Sequence, residues 1–477
     1  MNESEKQIND ESFRDRLGTV TEEGERIWVY PQKPKGKFYN ARTIVSIILL
    51  AVLFGVPFIS YNGHPFMLFN ILNREFIIFG MAFGPQDFHL FVISIIIGII
   101  GIFLFTVVWG RIFCGWVCPQ TIFMEMVFRK IEYLIEGGAA KQRALNKAPW
   151  NGEKIFKKAL KHAVFFGLAF LIANALLAWI IGIEGVKELA SAPIASVSGP
   201  FIAMIIFTAI TYFFGAYFRE QVCTVICPYG RLQGVMLDQN SIVIAYDYKR
   251  GEPRGNRKKN EETDLGDCID CNQCVVVCPT GIDIRNGTQL ECVNCTACID
   301  ACDDVMTKIN KPKGLIRYAS KEEIETGVRK IFTPKSIGYS VVLFLLFGLL
   351  TFLLATRTEV ELSILRTAGL MAQEQPDGRI SNLYDVKITN KTFTKLYTKL
   401  ELIDVDGDIN IVGGNVDENG RLIVPPHQVA DAKFFVVLPK EEIKSITIPI
   451  KIGVAANGKV IDVIKTSFLG KVQGHKK

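Results

Sequence analysis

CIDCNQCVVVCPTGIDIRNGTQLECVNCTACIDAC, residues 268–302, decides how this chain is read. It holds Cys268-x2-Cys271-x2-Cys274-x3-Cys278-Pro279, then Cys292-x2-Cys295-x2-Cys298-x3-Cys302. Thiolate is the normal ligand of a [4Fe–4S] cluster, and three close ligands with a more remote fourth suit one cubane. Two runs at the same spacing predict two [4Fe–4S] clusters. In paired runs of this kind the fourth cysteine ligates the other cluster. That predicts Cys268, Cys271, Cys274 and Cys302 around one, and Cys292, Cys295, Cys298 and Cys278 around the other. Disulfides need an oxidising compartment. Zinc sites pair two x2 hairpins rather than ending a run in x3-Cys. The expected chemistry is single-electron transfer. Pro279 follows the first run, but Asp303 stands where the second would carry its proline. The missing ring removes shielding from that cluster and no ligand.

Outward from the cysteines, the composition points to a membrane. The chain has 477 residues, 49% of them hydrophobic, with 33 Phe, a length that suggests about three domains. A net charge of +6 does not indicate nucleic acid as a partner. Five stretches, at 42–61, 88–109, 160–183, 200–218 and 337–356, reach the ~20 apolar residues that a bilayer requires. Five such runs argue against the buried helices of a soluble enzyme. The connections 62–87 and 184–199 carry one basic residue each, Arg74 and Lys187, whereas 111–159 and 219–336 are rich in Lys and Arg. The positive-inside rule then predicts a multi-pass protein of the bacterial inner membrane. Its N-terminus and cysteine runs are expected in the cytoplasm and its C-terminal region in the periplasm or outside. The first 40 residues show no signal-peptide apolar core, so the first span is expected to be an uncleaved anchor.

The expected organisation is a cytoplasmic N-terminal segment 1–41 and four spans within 42–219. A cytoplasmic region 220–336 follows, then a fifth span at 337–357 and an outside domain at 358–477. All 12 cysteines lie between Cys114 and Cys302, as a reducing compartment for clusters requires.

The other four cysteines form a second pattern. Cys114-x3-Cys118-Pro119 follows the second span and Cys223-x3-Cys227-Pro228 follows the fourth. Arg111 precedes one pair and Arg219 the other, which reads as an internal repeat of one helical hairpin. Residues i and i+4 share a helix face, and a proline suits the first turn of a new helix. Each second cysteine is therefore expected where a span ends and an interfacial helix begins, and Thr121–Glu136 has the amphipathic period of such a helix. Four thiols at one membrane face could hold copper or another soft metal, hold a further cluster, or shuttle between dithiol and disulfide. The bland alternative is four small apolar side chains. Met124, Met126 and His162 lie nearby but read as core and interfacial residues.

From about Leu383 the period changes to two. Ile446, Ile448, Ile450, Ile452 and Val454 alternate with polar or small residues, and Pro449 argues for an edge or a bulge. Strands are expected at Tyr384–Thr389, Phe393–Ile403, Ile409–Val412, Arg421–Val424, Lys433–Leu438 and Lys459–Phe468. Turns at Asp406-Gly407, Asn419-Gly420 and Asn457-Gly458 separate them. This is the pattern of a β-sandwich, read as a docking or structural module. His427 and the tail residue His475 read as loop residues. The charged stretch 249–267 reads as a solvated loop, or as a docking face for an acidic partner.

Taken together, these features resemble the FixG/RdxA/CcoG family of cytochrome cbb3-type oxidase accessory proteins. The resemblance rests on Cys-Gly-Trp-Val-Cys-Pro-Gln-Thr (114–121), Val-Cys-Thr-Val-Ile-Cys-Pro-Tyr-Gly-Arg (222–231) and the two ferredoxin-type runs. Trp28-Val29-Tyr30-Pro31 and the terminal β-domain add to it, so it covers nearly the whole chain. The Cys-x3-Cys-Pro pair is shared with NapH/NosR-like membrane ferredoxins, and the terminal domain points to the FixG branch.

The resemblance implies a multi-domain membrane protein with an α-helical bundle, a bacterial-type 2[4Fe–4S] ferredoxin domain and an immunoglobulin-like β-sandwich. It implies a cupric reductase-type oxidoreductase that turns Cu(II) into Cu(I) at Cys114, Cys118, Cys223 and Cys227 for oxidase assembly. The implied partners are copper ion or a copper chaperone, oxidase assembly proteins and a separate electron donor. A quinol-linked electron conduit of the NapH type and an assembly scaffold with structural clusters are the alternatives.

Overall fold

The computed structural model describes residues 19–21, 23, 25–71, 75–191, 198–255, 265–367, 372–443, 445–456 and 459–470. The chain forms two compact units, one of residues 1–60 and 92–349 and the other of residues 61–91 and 350–477. The expected turn at Asn457-Gly458, the tail residue His475 and positions 256–264 of the charged stretch lie outside the described residues.

Among the described residues five helices are long and apolar enough to cross a membrane: Lys37–Phe58, Phe88–Trp109, Gly152–Ser191, Phe201–Phe218 and Pro334–Ala355. Two begin well before the hydropathy alone suggests. The first begins at Lys37 instead of 42, because Arg42 is buried and finds carbonyl partners inside the protein. The third extends to Gly152 because Lys154 and Lys161 on its first turns are also internally paired. Near its other end this helix breaks at Gly182, which takes a φ of 77°. The apolar faces of the helices stay outward, as with Ile44, Ile47 and Ile48, which is the pattern of lipid-facing spans.

The helical run after Cys118 is less interfacial than its period suggests. Ile122, Met124, Met126 and Phe128 are buried. Phe128 packs with Phe165 and Ile172 of the third helix and Ala216 after the fourth. Gly215 permits this, since a Cβ there would lie 2.7 Å from the Phe128 ring.

The cysteine-rich lobe, 243–319, is closed by one antiparallel strand pair, Val243–Tyr246 with Ile316–Ala319. Two helices, Gln273–Val276 and Ala297–Lys308, follow the two cysteine loops. Its core is Ile244, Tyr246, Ile284, Ile299, Met306, Leu315 and Ile316, together with cysteines.

In the second unit two antiparallel sheets face each other. One runs in the order 408–411, 429–438, 380–390, 360–366, and the other 422–424, 396–402, 447–456, 459–469. Their inward residues, among them Tyr384, Ile388, Phe434, Val436, Ile450, Ile452 and Phe468, form one apolar core. The strand Val360–Arg366 is an addition to the expected set, although Val360, Leu362 and Ile364 alternate inward. Its closeness to the fifth span makes it look like a tether in the sequence. Pro449 follows the expectation for a strand proline. Its strand is interior, but pairing with Leu396–Leu402 covers only Ile452–Ala456, so Pro449 faces no ladder on that side.

The connection 62–87 is structured as well. Leu68–Asn70, Glu75–Ile78 and Met81–Phe83 form a small antiparallel sheet. Asp87 after it is held by Arg357 (2.8 Å) and Lys391 (2.9 Å). Burial resists its ionisation, yet hydrogen bonds from Arg357 and Lys391 keep its carboxyl below the ordinary aspartate range.

Candidate metal centre

The two cysteine loops have the same backbone. Asp270 (φ 53°) and Asn272 (φ 57°) flank Cys271, and Asn294 (φ 51°) and Thr296 (φ 67°) flank Cys295. Left-handed non-glycine residues carry strain, and such strain gathers at functional sites. Alternating handedness turns successive side chains of a short loop toward one point. The result is two cavities. Cys268, Cys271, Cys274 and Cys302 line one, with about 360 Å³ of atom-free space. Cys278, Cys292, Cys295 and Cys298 line the other, with about 330 Å³, and Cys274 stands between the two.

Cys274, Cys292, Cys295 and Cys302 are poorly placed to be charged without a cation. Burial pushes Cys274, Cys292 and Cys302 up to about 12 and Cys295 to about 11. Thiolate quartets in such surroundings require metal charge to compensate them. The residues present therefore fit two [4Fe–4S] clusters. Asp303, standing where the cysteine pattern carries proline, lies inside the helix Ala297–Lys308, and its carboxylate accepts the Gly314 N–H at 2.9 Å. A proline there would remove a helical hydrogen bond.

The two Cys-x3-Cys-Pro segments are also copies. Each has a left-handed residue four positions before its first cysteine, Gly110 (φ 55°) before Cys114 and Arg219 (φ 48°) before Cys223. In each, the second cysteine closes an i→i−5 turn, Cys118 N to Phe113 O (2.9 Å) and Cys227 N to Val222 O (2.8 Å). In each, that cysteine leaves the helix and a proline begins the next one. The sequence pairs Arg111 with Arg219, whereas the backbone pairs Arg219 with Gly110. Wide turns of this kind are frequent at functional sites.

All four thiols are half-buried and lie within electrostatic reach of one another. Burial raises Cys114 to about 11 and Cys223 to about 12. Cys114 Sγ donates to Gln233 Oε1 at 3.3 Å. Exposed Phe113, Val117, Val225 and Ile226 surround the pairs with lipid-facing surface. Among the described residues no three His, Cys, Asp or Glu side chains are drawn to the spacing of one metal ion.

The two constellations meet. Cys114 and Cys223 pack against the cluster of Val277, Val293, Cys295 and Ala297. Gly115 is what allows the approach, since a Cβ there would lie 2.4 Å from Asn294 O. Arg42 joins the two loops, donating Nε to Gly115 O (2.9 Å) and Nη1 to Cys295 O (3.0 Å). Arg111 donates to the carbonyls of Leu290 and Cys292. Asp300, between Cys298 and Cys302, caps the first span by accepting from Phe38 N (3.2 Å) and Tyr39 N (2.8 Å). None of these supporting residues is singled out by the cysteine spacing. The only signals for them are a charged residue at the head of an apolar span and an acid between two ligands.

Behind the second pair lies a buried ion network. Arg219 binds Glu132 in bidentate fashion (2.7 and 3.0 Å). Lys161 reaches Glu132 (3.2 Å) and Glu136 (2.8 Å). Glu220 pairs with Arg26 (2.9 Å) and lies 3.6 Å from Arg129. Trp28 of the Trp28–Pro31 segment covers Arg26 and Arg219. His162 bonds Tyr212 OH at 2.8 Å and takes no part in the thiol site. Met124 and Met126 are core.

Comparison with known proteins agrees with this architecture. Residues 218–321 match the 4Fe-4S dicluster domain family, 91–136 a 4Fe-4S binding domain family, and 350–471 the IG-like fold at the C-terminal of FixG. The nitrogen fixation protein FixG of Rhizobium meliloti is 33% identical over 458 residues, 86% of each chain. The chain belongs to the FixG family. Protein RdxA of Cereibacter sphaeroides is 33% identical over 378 residues, covering 76% of this chain and 79% of that one. RdxB of the same organism is 33% identical over 381 residues with the same coverage. As a FixG-family member the chain is an iron–sulfur electron-transfer protein of the membrane, and its terminal sandwich is the immunoglobulin-like FixG domain.

Proposed function

We propose that this FixG-family protein reduces Cu(II) to Cu(I) at Cys114, Cys118, Cys223 and Cys227, in support of cytochrome cbb3-type oxidase assembly. The observation that carries the proposal is the packing of Cys114 and Cys223 on the Cys295 loop. It sets soft-metal ligands against one of the two cysteine-lined cavities. In this reading Cys268, Cys271, Cys274 and Cys302 hold one [4Fe–4S] cluster, and Cys278, Cys292, Cys295 and Cys298 hold the other. When bound, these clusters supply electrons one at a time, the number that Cu(II) requires.

The chain's own residues do the rest. Four thiols offer a soft ligand set that favours Cu(I) over Cu(II). Arg42 and Arg111 fix the distance between the thiol hairpin and the cysteine loop through backbone carbonyls. The exposed apolar side chains around the pairs keep the site at the membrane face. In this reading the N-terminus and cysteine lobe lie in the cytoplasm and the immunoglobulin-like domain outside, which the basic connections support. A separate reductant supplies the electrons.

The test uses full-length protein, anaerobically reduced and given Cu(II) with a Cu(I) chelator. The expected result is chelated Cu(I) appearing with matching loss of cluster reduction. It should be lost when all four cysteines are Ser and cluster content is unchanged. Undiminished Cu(I) formation in that variant sinks the thiol assignment, and reoxidation by a quinone with no response to copper sinks the copper reading.

A further inference from the structure

An open cavity of about 440 Å³ lies between the N-terminal segment, the start of the first span and the helix Arg129–Ile135. Lys33, Tyr39, Asn40, Thr43, Lys130 and Leu134 line it. Lys130 Nζ donates to Thr43 Oγ1 at 3.0 Å and sits 5.3 Å from the centre of the Tyr39 ring. Thr43 in turn donates to Tyr39 O (2.9 Å). The ammonium group therefore has donors to spare, and its protein contacts are neutral.

Among the residues that line the cavity the charge is unbalanced, and Glu125, which acts on the lining Tyr39 and Tyr133, is already paired with Arg129. The groups that act electrostatically on Lys130 are Lys33 and Arg42, both cations. Burial first, and those two charges after it, hold its amine below the ordinary lysine value. Arg42 is already committed to carbonyls. Elsewhere in this unit buried cations have carboxylates or several carbonyls: Arg219 and Lys161 have Glu132, and Arg111 and Lys154 have two carbonyls each. Exposed Lys33 and half-buried Lys130 face one cavity with no acid among the described residues that line it, an arrangement that suits an anion from outside the chain.

The position says which anion. Lys37 opens the first span, so the cavity lies at headgroup depth. Leu134 at its edge is 83% exposed, and Ile44 and Ile47 on the span beyond are 60% and 61% exposed. We propose that this cavity binds a phosphate group, with Lys33 and Lys130 as its ammonium contacts and Asn40 as its neutral one. The group comes from an anionic phospholipid whose chains follow Leu134 and the first span, or from free phosphate. Binding relieves the repulsion among Lys33, Lys130 and Arg42. It thereby steadies the helical turn whose Arg42 joins the thiol hairpin to the Cys295 loop.

The test uses delipidated full-length protein in a neutral detergent. Bound phosphatidylglycerol and phosphatidylcholine are counted by native mass spectrometry, and inorganic phosphate is titrated against chloride at equal ionic strength with thermal stability as readout. Each basic residue near a surface contributes enough that K33Q/K130Q should weaken phosphatidylglycerol binding roughly thirtyfold, whereas K33R/K130R should retain it. Phosphatidylglycerol binding that phosphate does not displace identifies the lipid as the source. Stabilisation by phosphate with no lipid preference identifies the free ion. Wild-type protein that retains neither, or equal retention by K33Q/K130Q with unchanged iron content, overturns the proposal. If K33Q/K130Q fails to fold, wild type and K33R/K130R still decide it.

Discussion

In the first thiol hairpin a glycine, Gly110, takes the left-handed turn before Cys114, and the arginine after it reaches the carbonyls of Leu290 and Cys292. In the second hairpin an arginine, Arg219, takes that turn itself and reaches Glu132 instead. The turn after each is the same, with matching i→i−5 closures at Cys118 and Cys227. The copies thus keep the geometry that presents sulfur and differ in what they grip. One grips the cysteine-rich lobe through neutral carbonyls, and the other grips the helical bundle through buried charge. Duplication supplies four thiols, and divergence of one charged position divides the anchoring between two neighbours.

The largest effect should come from the charged grip. Glu132 serves Arg219 and Lys161 at once. Removing one partner of a buried pair costs about 3–5 kcal/mol, because the remaining charge is left uncompensated. Glu132→Ala should therefore lower the thermal unfolding midpoint in detergent sharply, and Glu132→Asp less so. A shift no larger than that of an exposed pair such as Lys187–Glu184 would show that the network contributes no more than surface charge does. pH gives the same test without mutation. Burial opposes ionisation of Glu132, but Arg219 and then Lys161 hold it down to about 2. Its unfolded value is near 4.3. Its contribution is full above about pH 4.3 and is lost as pH falls toward 2, so wild type should lose stability in that window and Glu132→Ala should not.

The carbonyl grip is broken at Gly115. A methyl group there meets Asn294 O at 2.4 Å and Val293 O at 2.6 Å, both backbone and unable to swing aside. Overpacking of this kind costs about 1–3 kcal/mol. Gly115→Ala should push the Val293–Cys295 loop away from Cys114. The expected readout is loss of one of two [4Fe–4S] signals in electron paramagnetic resonance, the Cys268–Cys302 set persisting. Retention of both signals with unchanged copper reduction would show that the close approach has no role.

Legibility in the sequence varies with the range of the cause. Cysteine spacing is local; in the structure Cys302 lines a cavity with the first run and Cys278 one with the second, and Cys274 lines both. Span centres are legible because lipid selects composition directly. Span ends are not, because Lys37–Arg42 and Lys154–Lys161 are polar residues kept helical by partners distant in sequence. The strand Val360–Arg366 carries the right alternation and is obscured by its neighbour, the span. The roles of Arg42, Asp300 and Glu132 are not legible in the spacing, since each has a partner more than 70 positions away.

The smallest effect isolates the turn itself. Gly110 has a φ of 55°, and a Cβ on it would lie 2.8 Å from Ile242 O. Holding an L-residue in the left-handed region costs roughly 1–2 kcal/mol, so Gly110→Ala should destabilise by about that amount. Gly98 in the same span is helical, with nothing within 4 Å of the place a methyl group would take. There alanine gains up to about 1 kcal/mol of helix propensity. Two identical substitutions twelve residues apart should thus shift the unfolding midpoint in opposite directions. Arg219 also has a positive φ, with Glu132 holding its guanidinium. In the Glu132→Ala background, Arg219→Gly should recover part of the lost stability, by releasing both the strain and the unpaired charge. Equal shifts at Gly110 and Gly98, or no recovery at Arg219, would mean that the shared left-handed turn is incidental to the repeat.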